Sequence, residues 1–268
     1  MVYSIIHILR ELGFDYNEGR ELAIEAVKEL AQLKGLDVNS LHVPEFALLS
    51  LSAGLTNLMV KEFNASEVPW IYRARPLYVG SIDDIPVAII WAAPGAPLAA
   101  MVMEHLIACG AKYVIGLGLL ASIQPEIDVG TIVIPSRALR GEGTSYYYLP
   151  PEAEAQADET ILNALREACR KHSTNCIEGT IYTTDAIHRE TPKLINALRN
   201  RGVIGIDMET SAILAVGKFR NIKTACILVT STSPKRKSLG FYSETLNESL
   251  HKAIRITKTA VTILAKHR

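Results

Sequence analysis

The order of apolar runs along this 268-residue chain predicts an α/β fold, a mostly parallel sheet with helices on both faces. Three observations carry that expectation. From residue 45 onward, short strand-like runs alternate with segments of helical period. Two of the strand runs, Tyr113 to Leu117 and Thr224 to Thr230, read as buried, the second apolar without a break, as expected of strands covered on both faces. Hydrophobic residues make up 49% of the chain, enough to fill one large core.

The first forty residues read as a helical extension, and 41–268 as the main domain. Leu22, Ile24, Ala26, Val27, Leu30, Ala31 and Leu33 form an apolar stripe opposite Glu21, Glu25 and Lys28, and Gly35 ends the helix. Phe46 to Leu51 is then a strand and Thr56 to Phe63 a helix. Pro76 to Ile82 and Pro86 to Ala92 are strands joined at Asp83-Asp84. Leu98 to Cys109 is a helix stopped by Gly110, followed by the strands Tyr113 to Leu117 and Thr131 to Pro135. A helix over Thr160 to His172, a strand over Cys176 to Thr183 and a helix over Pro192 to Arg201 come next. Val203 to Asp207 is a short strand feeding the helix Thr210 to Lys218. After the strand Thr224 to Thr230 and the polar stretch Ser231 to Ser243, a long helix closes the chain over Ser243 to Lys266.

Lysine plus arginine equals aspartate plus glutamate at 28 each, so net charge gives no case for a nucleic-acid or anionic-membrane partner. The longest apolar stretch, Pro86 to Met103, is broken by Pro94, Gly95 and Pro97. It reads as strand, turn and helix rather than a membrane span. No leader pattern opens the chain, and a cytoplasmic location is expected. None of the four cysteines forms a C-x-x-C pair or has histidine at zinc spacing, so no metal site is expected. Cys109 and Cys226 read as core residues. Cys169 and Cys176 flank a polar turn, close enough to pair, although free thiols are the default in a cytosol.

Four segments carry candidate chemistry. Ala92-Ala93-Pro94-Gly95-Ala96-Pro97 lies between a strand and a helix, where backbone N–H groups can meet an anion or simply make a tight turn. Ile115 to Ser122 holds Gly116 and Gly118, but the dinucleotide pattern fails at Ala121, which leaves a glycine-bearing strand end beside a ligand as the better reading. Arg140 to Tyr148 offers glycines, hydroxyls and three tyrosines, as a binding loop or a surface loop. In Ile206-Asp207-Met208-Glu209-Thr210-Ser211-Ala212 an acidic pair sits where a strand meets a helix. A carboxylate there suits two vicinal hydroxyls, while Asp207 also fits as an ordinary helix N-terminal charge.

Taken in order, these pieces resemble the purine nucleoside and uridine phosphorylase family. The resemblance runs from about residue 45 to 265. It is carried by Tyr78-Val79-Gly80 through Pro86-Val87, Gly95-Ala96-Pro97, Glu104-His105-Leu106, Glu142-Gly143-Thr144-Ser145 and Asp207 to Ala212. The Glu-Gly-Thr-Ser loop looks more like the uridine side of the family. The resemblance implies a three-layer α/β/α domain with a mixed, mostly parallel twisted sheet. It implies Met208 and Glu209 at the ribose, with the glutamate on the 2′ and 3′ hydroxyls. Arg73, lent by a neighbouring subunit, is implied at the phosphate, with Gly95 and Thr144 beside it. Ile187, His188 and Arg189 fall at the base pocket, where the family usually has aromatic residues at the first two positions. No cofactor is implied, and phosphate is the co-substrate. A homo-oligomer is implied, with a dimer as minimal unit and a hexamer as the family's common assembly.

The departures lie at the phosphate. Asn57 stands where the family has an arginine, Gly116 where it has a second, and Leu119 or Leu120 where it has a threonine. A buried phosphate dianion needs charged partners, and Arg75, Arg137 and Arg140 are the candidates to replace them. Ser231 or Thr232 holds the region of the purine branch's aspartate, no clear counterpart of the uracil-gripping glutamine is found, and Arg189 and Lys235-Arg236-Lys237 are candidates to supply charge, the run also reading as a solvated loop. The expected function is reversible phosphorolysis of a nucleoside, uridine-like, to free base and ribose 1-phosphate, with no catalytic residue assigned. The alternatives are a nucleoside hydrolase, with Glu45, Glu142 or Asp185 activating water, and a non-catalytic nucleoside-binding protein.

Overall fold

The computed structural model describes residues 5–235 and 243–267. Two helices, α1 (Ile5–Glu11) and α2 (Leu22–Leu33), precede the sheet. Of the apolar stripe on α2, Val27 and Ala31 are buried, whereas Leu22, Ile24 and Leu33 stay exposed. Then follow β1 (Phe46–Ser50), α3 (Ala53–Glu62), β2 (Ser66–Val68), β3 (Leu77–Ile82), β4 (Ile85–Trp91) and α4 (Ala96–Ala108). The middle of the chain forms β5 (Tyr113–Ser122), β6 (Ile132–Gly141), a 3-10 turn at Thr144–Tyr147, β7 (Ala155–Gln156) and α5 (Glu159–Lys171). The last part forms β8 (Ile177–Thr184), a 3-10 turn at Ile187–Arg189, α6 (Pro192–Asn200), β9 (Val203–Asp207), α7 (Thr210–Arg220), β10 (Lys223–Thr232) and α8 (Glu244–Lys266).

The architecture is the three-layer α/β/α arrangement, with a mixed, mostly parallel twisted sheet. At its centre β1 lies parallel between β4 and β5, and every one of its residues is buried. That explains its apolar run from Phe46 to Leu49, since a strand covered on both faces has no polar side to alternate with. On one side α5 packs on α8, which also meets β10 and α3; on the other, α4 packs on α7 and α2. The turn between β3 and β4 is Asp83-Asp84, both with positive φ, as a two-residue hairpin linking antiparallel strands requires. Asp158 caps α5 by accepting the N–H groups of Thr160 and Ile161, and Ser243 caps α8 through Leu246.

The sheet also curls on itself. β5 pairs with β10, β10 with β6, β6 with β8, β8 with β9, and β9 returns to the end of β5. This closure lengthens two strands beyond their sequence-expected ends. β5 runs on past Leu117 because β10 and β9 take up its later hydrogen bonds. β6 continues through Pro135, where the register with β8 shifts between Pro135 and Arg137. Proline donates no ladder bond, and an irregularity at that point is how a sheet accommodates it.

Cys169 and Cys176, whose pairing the sequence leaves open, are joined in a disulfide. The last turn of α5 and the start of β8 face each other across the polar turn, and this brings the two sulfurs together. Cys109 and Cys226 are free and buried, as core residues. Among the described residues no helix is long and apolar enough to cross a membrane. Arg236 and Lys237 of the basic run lie outside the described residues, while Lys235 is exposed.

Candidate functional site

The parallel strands β1, β4, β5 and β10 all point their C-terminal ends toward one region, the usual ligand position in an open α/β sheet. A cavity of about 210 Å³ opens there. Its apolar wall includes Leu51, Leu119, Leu120 and Met208, and its polar groups are Glu190, Asp207, Glu209 and Ser231.

The two acidic residues at the junction of β9 and α7 have different tasks. Asp207 is buried, and both of its oxygens are in use. Oδ1 accepts from the Thr183 hydroxyl at 2.7 Å, and Oδ2 accepts from the Thr210 N–H at 2.9 Å and the Thr210 hydroxyl at 2.5 Å. It therefore ties the end of β8 to the first turn of α7, the helix-terminal role open to it in the sequence. Thr183 adds a second tie by accepting the Ser211 N–H at 3.0 Å.

Glu209 is the last residue before α7, and it is buried. Its Oε1 accepts the Gly95 N–H at 2.5 Å. Gly95 precedes α4 with φ +99, a conformation that L side chains rarely adopt, so glycine suits the turn. Two helix N-termini, each with partial positive charge, thus converge on one carboxylate. The anion that the Gly95 turn meets within this chain is Glu209 itself. An ionised carboxylate offers about four acceptor sites, and Gly95 occupies one. Burial pushes the Glu209 carboxyl up to about 7, the charge of Asp207 pushes the same way, and the Gly95 N–H opposes both. Burial also raises Asp207, against its hydrogen bonds from Thr210 and Thr183.

Met208, Glu209 and Ile187 are thus brought together around the cavity. His188 and Arg189, on the same turn as Ile187, are exposed and not part of the lining, whereas the next residue, Glu190, is. Glu190 escaped the sequence reading. The one signal was a carboxylate placed just before the Thr191-Pro192 helix start. Thr144 lies elsewhere, with Gly143 and Asp185 in a larger groove of about 1170 Å³ between the N-terminal helices and α4. That groove is the bigger depression, but the strand ends and Glu209 lie at the smaller cavity. Arg73 is exposed on a shallow surface beside Trp70, Tyr72 and Pro76, outside the cavity of its own chain.

The departures at the phosphate positions have physical counterparts. Asn57 is exposed on α3. Gly116 is buried in β5, where an added Cβ would lie 2.7 Å from the Cys226 sulfur, so no side chain fits without a shift. Leu119 and Leu120 line the cavity with hydrocarbon. Of the replacement arginines, Arg140 is committed to the carbonyls of Leu149, Pro150 and Ala153 and to Ser145. Arg137 pairs with Glu154 and Thr180. Arg75 stacks on Trp91 and donates to the carbonyls of Trp91 and Ala93, at 3.3 and 3.4 Å, next to the Gly95 turn.

The carboxylates considered for water activation are held elsewhere. Glu142 is buried and accepts from the Ser145 N–H and the Ser211 hydroxyl. Glu45 pairs with Lys112 at 2.6 Å, and Asp185 accepts the Gly143 N–H at 2.9 Å. None of the three lines the cavity. Among the described residues no cluster of three or more His, Cys, Asp or Glu is placed to hold a metal ion.

Residues 45–262 match the family model of the phosphorylase superfamily. The chain is 28% identical to a uridine phosphorylase of Treponema pallidum over 203 residues, 72% of this chain and 78% of that one. It is 25% identical to a guanosine phosphorylase of Halorubrum lacusprofundi over 241 residues, 88% of this chain and all of the relative. Its fold superposes on a purine nucleoside phosphorylase of Toxoplasma gondii in complex with immucillin-H with a TM-score of 0.78, at 21% identity, covering 84% of this chain and 93% of the other. A uridine phosphorylase of Vibrio fischeri superposes with a TM-score of 0.75 at 25% identity, covering 86% and 94%. The matched stretch holds the Gly95 turn, the strand ends and the Met208-Glu209 junction, and the chain belongs to the nucleoside phosphorylase superfamily, related to its uridine and purine phosphorylases.

Proposed function

We propose that this protein catalyses reversible phosphorolysis of a nucleoside, with a uridine-type nucleoside as the favoured substrate. The observation that carries the reading is Glu209, buried at the cavity where α4 and α7 begin. Met208 and Glu209 hold the ribose, the carboxylate accepting from its vicinal hydroxyls. Phosphate oxygen attacks the anomeric carbon as the glycosidic bond breaks with oxocarbenium character. The bonding pair leaves with the base, giving free base and ribose 1-phosphate. Positioning both reactants and stabilising the charge that develops are the protein's main contributions. The uridine preference rests on the Glu142-Gly143-Thr144-Ser145 loop and on relatives named as uridine phosphorylases.

The phosphate site is assembled from the N-termini of α4 and α7, Arg75 beside Ala93, and Arg73 lent by a neighbouring subunit in a homodimer or larger ring. Residues 1–40 form a helical extension to this domain. Thr144, His188 and Arg189 join the site only if their loops move toward the cavity when ligand binds.

One observation favours a second reading. Leu119 and Leu120 put hydrocarbon where an anion needs donors, so water in place of phosphate would make the enzyme a hydrolase. The purified protein is to be incubated with purine and pyrimidine nucleosides, with and without phosphate, and free base followed by chromatography. Release that requires phosphate supports phosphorolysis. Equal release without phosphate replaces it with hydrolysis, and no release from any nucleoside leaves a binding protein.

A further inference from the structure

The cavity contains four polar side chains, and three are accounted for. Asp207 has both oxygens bonded to Thr183 and Thr210. Glu209 is anchored by Gly95 at the ribose end. Ser231 donates its hydroxyl to the Leu120 carbonyl at 3.3 Å. Glu190 remains, on the turn that also brings Ile187 to the cavity wall.

We propose that Glu190 reads the base, pairing in its neutral acid form with an imide edge by donating its O–H to a ring carbonyl and accepting the adjacent ring N–H. This rests on reading the cavity as a nucleoside site and names the chemistry of the base. An ionised carboxylate is acceptor-only, and one of its oxygens would face a carbonyl oxygen of the same edge. The neutral acid carries one donor and one acceptor side by side, the complement of a uracil-type C=O and N–H. It supplies the pattern that a glutamine amide would, in a chain where no glutamine was found for that task.

The surroundings favour the neutral form. Half-burial raises the Glu190 carboxyl, and His188 on the same turn opposes the rise. Arg189, also on that turn, is exposed. Tyr182 on β8 is electrostatically coupled to Glu190 and to Asp185. Asp207 and Glu209 line the same cavity, but burial is what raises Glu190. A bound imide edge adds to this by engaging only the protonated group.

The test is equilibrium binding of uridine, N3-methyluridine and guanosine by calorimetry, from about pH 5 to about pH 9, spanning the range in which a raised carboxyl titrates. The proteins are the wild type, Glu190→Gln and Glu190→Ala. The ratio of wild-type to Glu190→Gln affinity for uridine is expected to be constant at low pH and to fall about tenfold per pH unit above the Glu190 pKa, the titration of Glu209 being common to both proteins. Glu190→Gln matches the wild type at low pH and lacks the part of the fall that belongs to Glu190, because the amide has the same donor and acceptor at every pH. Glu190→Ala loses on the order of 10-fold or more at low pH, the worth of a hydrogen-bonded pair. N3-methyluridine binds no better to the wild type than to Glu190→Ala. The proposal is overturned if Glu190→Ala binds uridine like the wild type, if Glu190→Gln shows the wild-type pH fall, or if uridine does not bind at any pH. Guanosine binding that strengthens with pH through Glu190 also overturns it, since that edge presents two donors to a carboxylate. Binding is read without turnover, so uridine binding with no phosphate-dependent cleavage sinks the phosphorolysis reading alone. Turnover of purine nucleosides only sinks the Glu190 assignment alone.

Discussion

Glu209 Oε1 accepts the Gly95 N–H at 2.5 Å across 114 residues of sequence, and this one bond joins the start of α7 to the start of α4 at the cavity. The carboxylate therefore has a structural tie and, on the proposed reading, a ligand to hold.

Removing Glu209 separates these roles. Glu209→Ala is expected to lower kcat/KM for the preferred nucleoside on the order of 100-fold or more, from two lost charge-assisted hydrogen bonds to ribose. A deoxynucleoside, with one hydroxyl fewer, is expected to lose less. Steady-state kinetics on the nucleoside pair measures it, and equal losses on both would remove Glu209 from the ribose.

The raised Glu209 carboxyl also makes the unliganded protein sensitive to pH. Its folded value of about 7 lies above the ordinary 4.5, so the folded state binds the proton more tightly than the unfolded chain. The resulting stability is complete below about pH 4.5, where both states are protonated, and is lost as pH rises through about 7. The expected swing is on the order of 3 kcal/mol. Glu209→Gln, which cannot ionise, should flatten this part of the Tm-against-pH curve. An unchanged curve would place the titrating group elsewhere.

Gly116 faces Cys226 closely enough that an added Cβ would sit 2.7 Å from its sulfur. Gly116→Ala is expected to destabilise by about 1–3 kcal/mol through overpacking. Adding Cys226→Ala should recover part of the loss, in a double-mutant cycle read by urea denaturation. Additive losses would mean that the two positions do not press on each other. Installing an arginine at 116 is expected to cost stability rather than restore an anion site.

The Cys169–Cys176 disulfide closes a loop with a separation of seven residues, between α5 and β8. Serine at both positions should lower stability by about 2–3 kcal/mol, mainly by freeing the unfolded chain. Reductant should lower the urea midpoint of the wild type and leave the double variant unmoved. Equal midpoints for wild type and variant under oxidising conditions would show that the bridge contributes nothing.

Much of this was legible in the sequence. The alternation of strand and helix patterns from Phe46 to Lys266 reports which faces must leave water, and that is a property of local composition. It was enough to place the α/β class, most element positions and the Met208-Glu209 junction. β2 and β7 escaped because strands of three and two residues carry no measurable period. β5 and β6 ran longer than expected because strands distant in the chain complete their hydrogen bonds.

The partners of each polar group were decided by packing. The sequence offered Asp207 and Glu209 as a pair, and the fold gave one to Thr183 and Thr210 and the other to Gly95. It offered Arg75, Arg137 and Arg140 as equal replacements, and the fold committed Arg140 to three loop carbonyls and brought only Arg75 to the Gly95 turn. It passed over Glu190, which the turn after β8 carries to the cavity. Burial of hydrocarbon is nearly additive along the chain and can be read residue by residue. A hydrogen bond needs two groups within about 3 Å, and for residues more than a hundred positions apart only the assembled sheet and helices determine that distance.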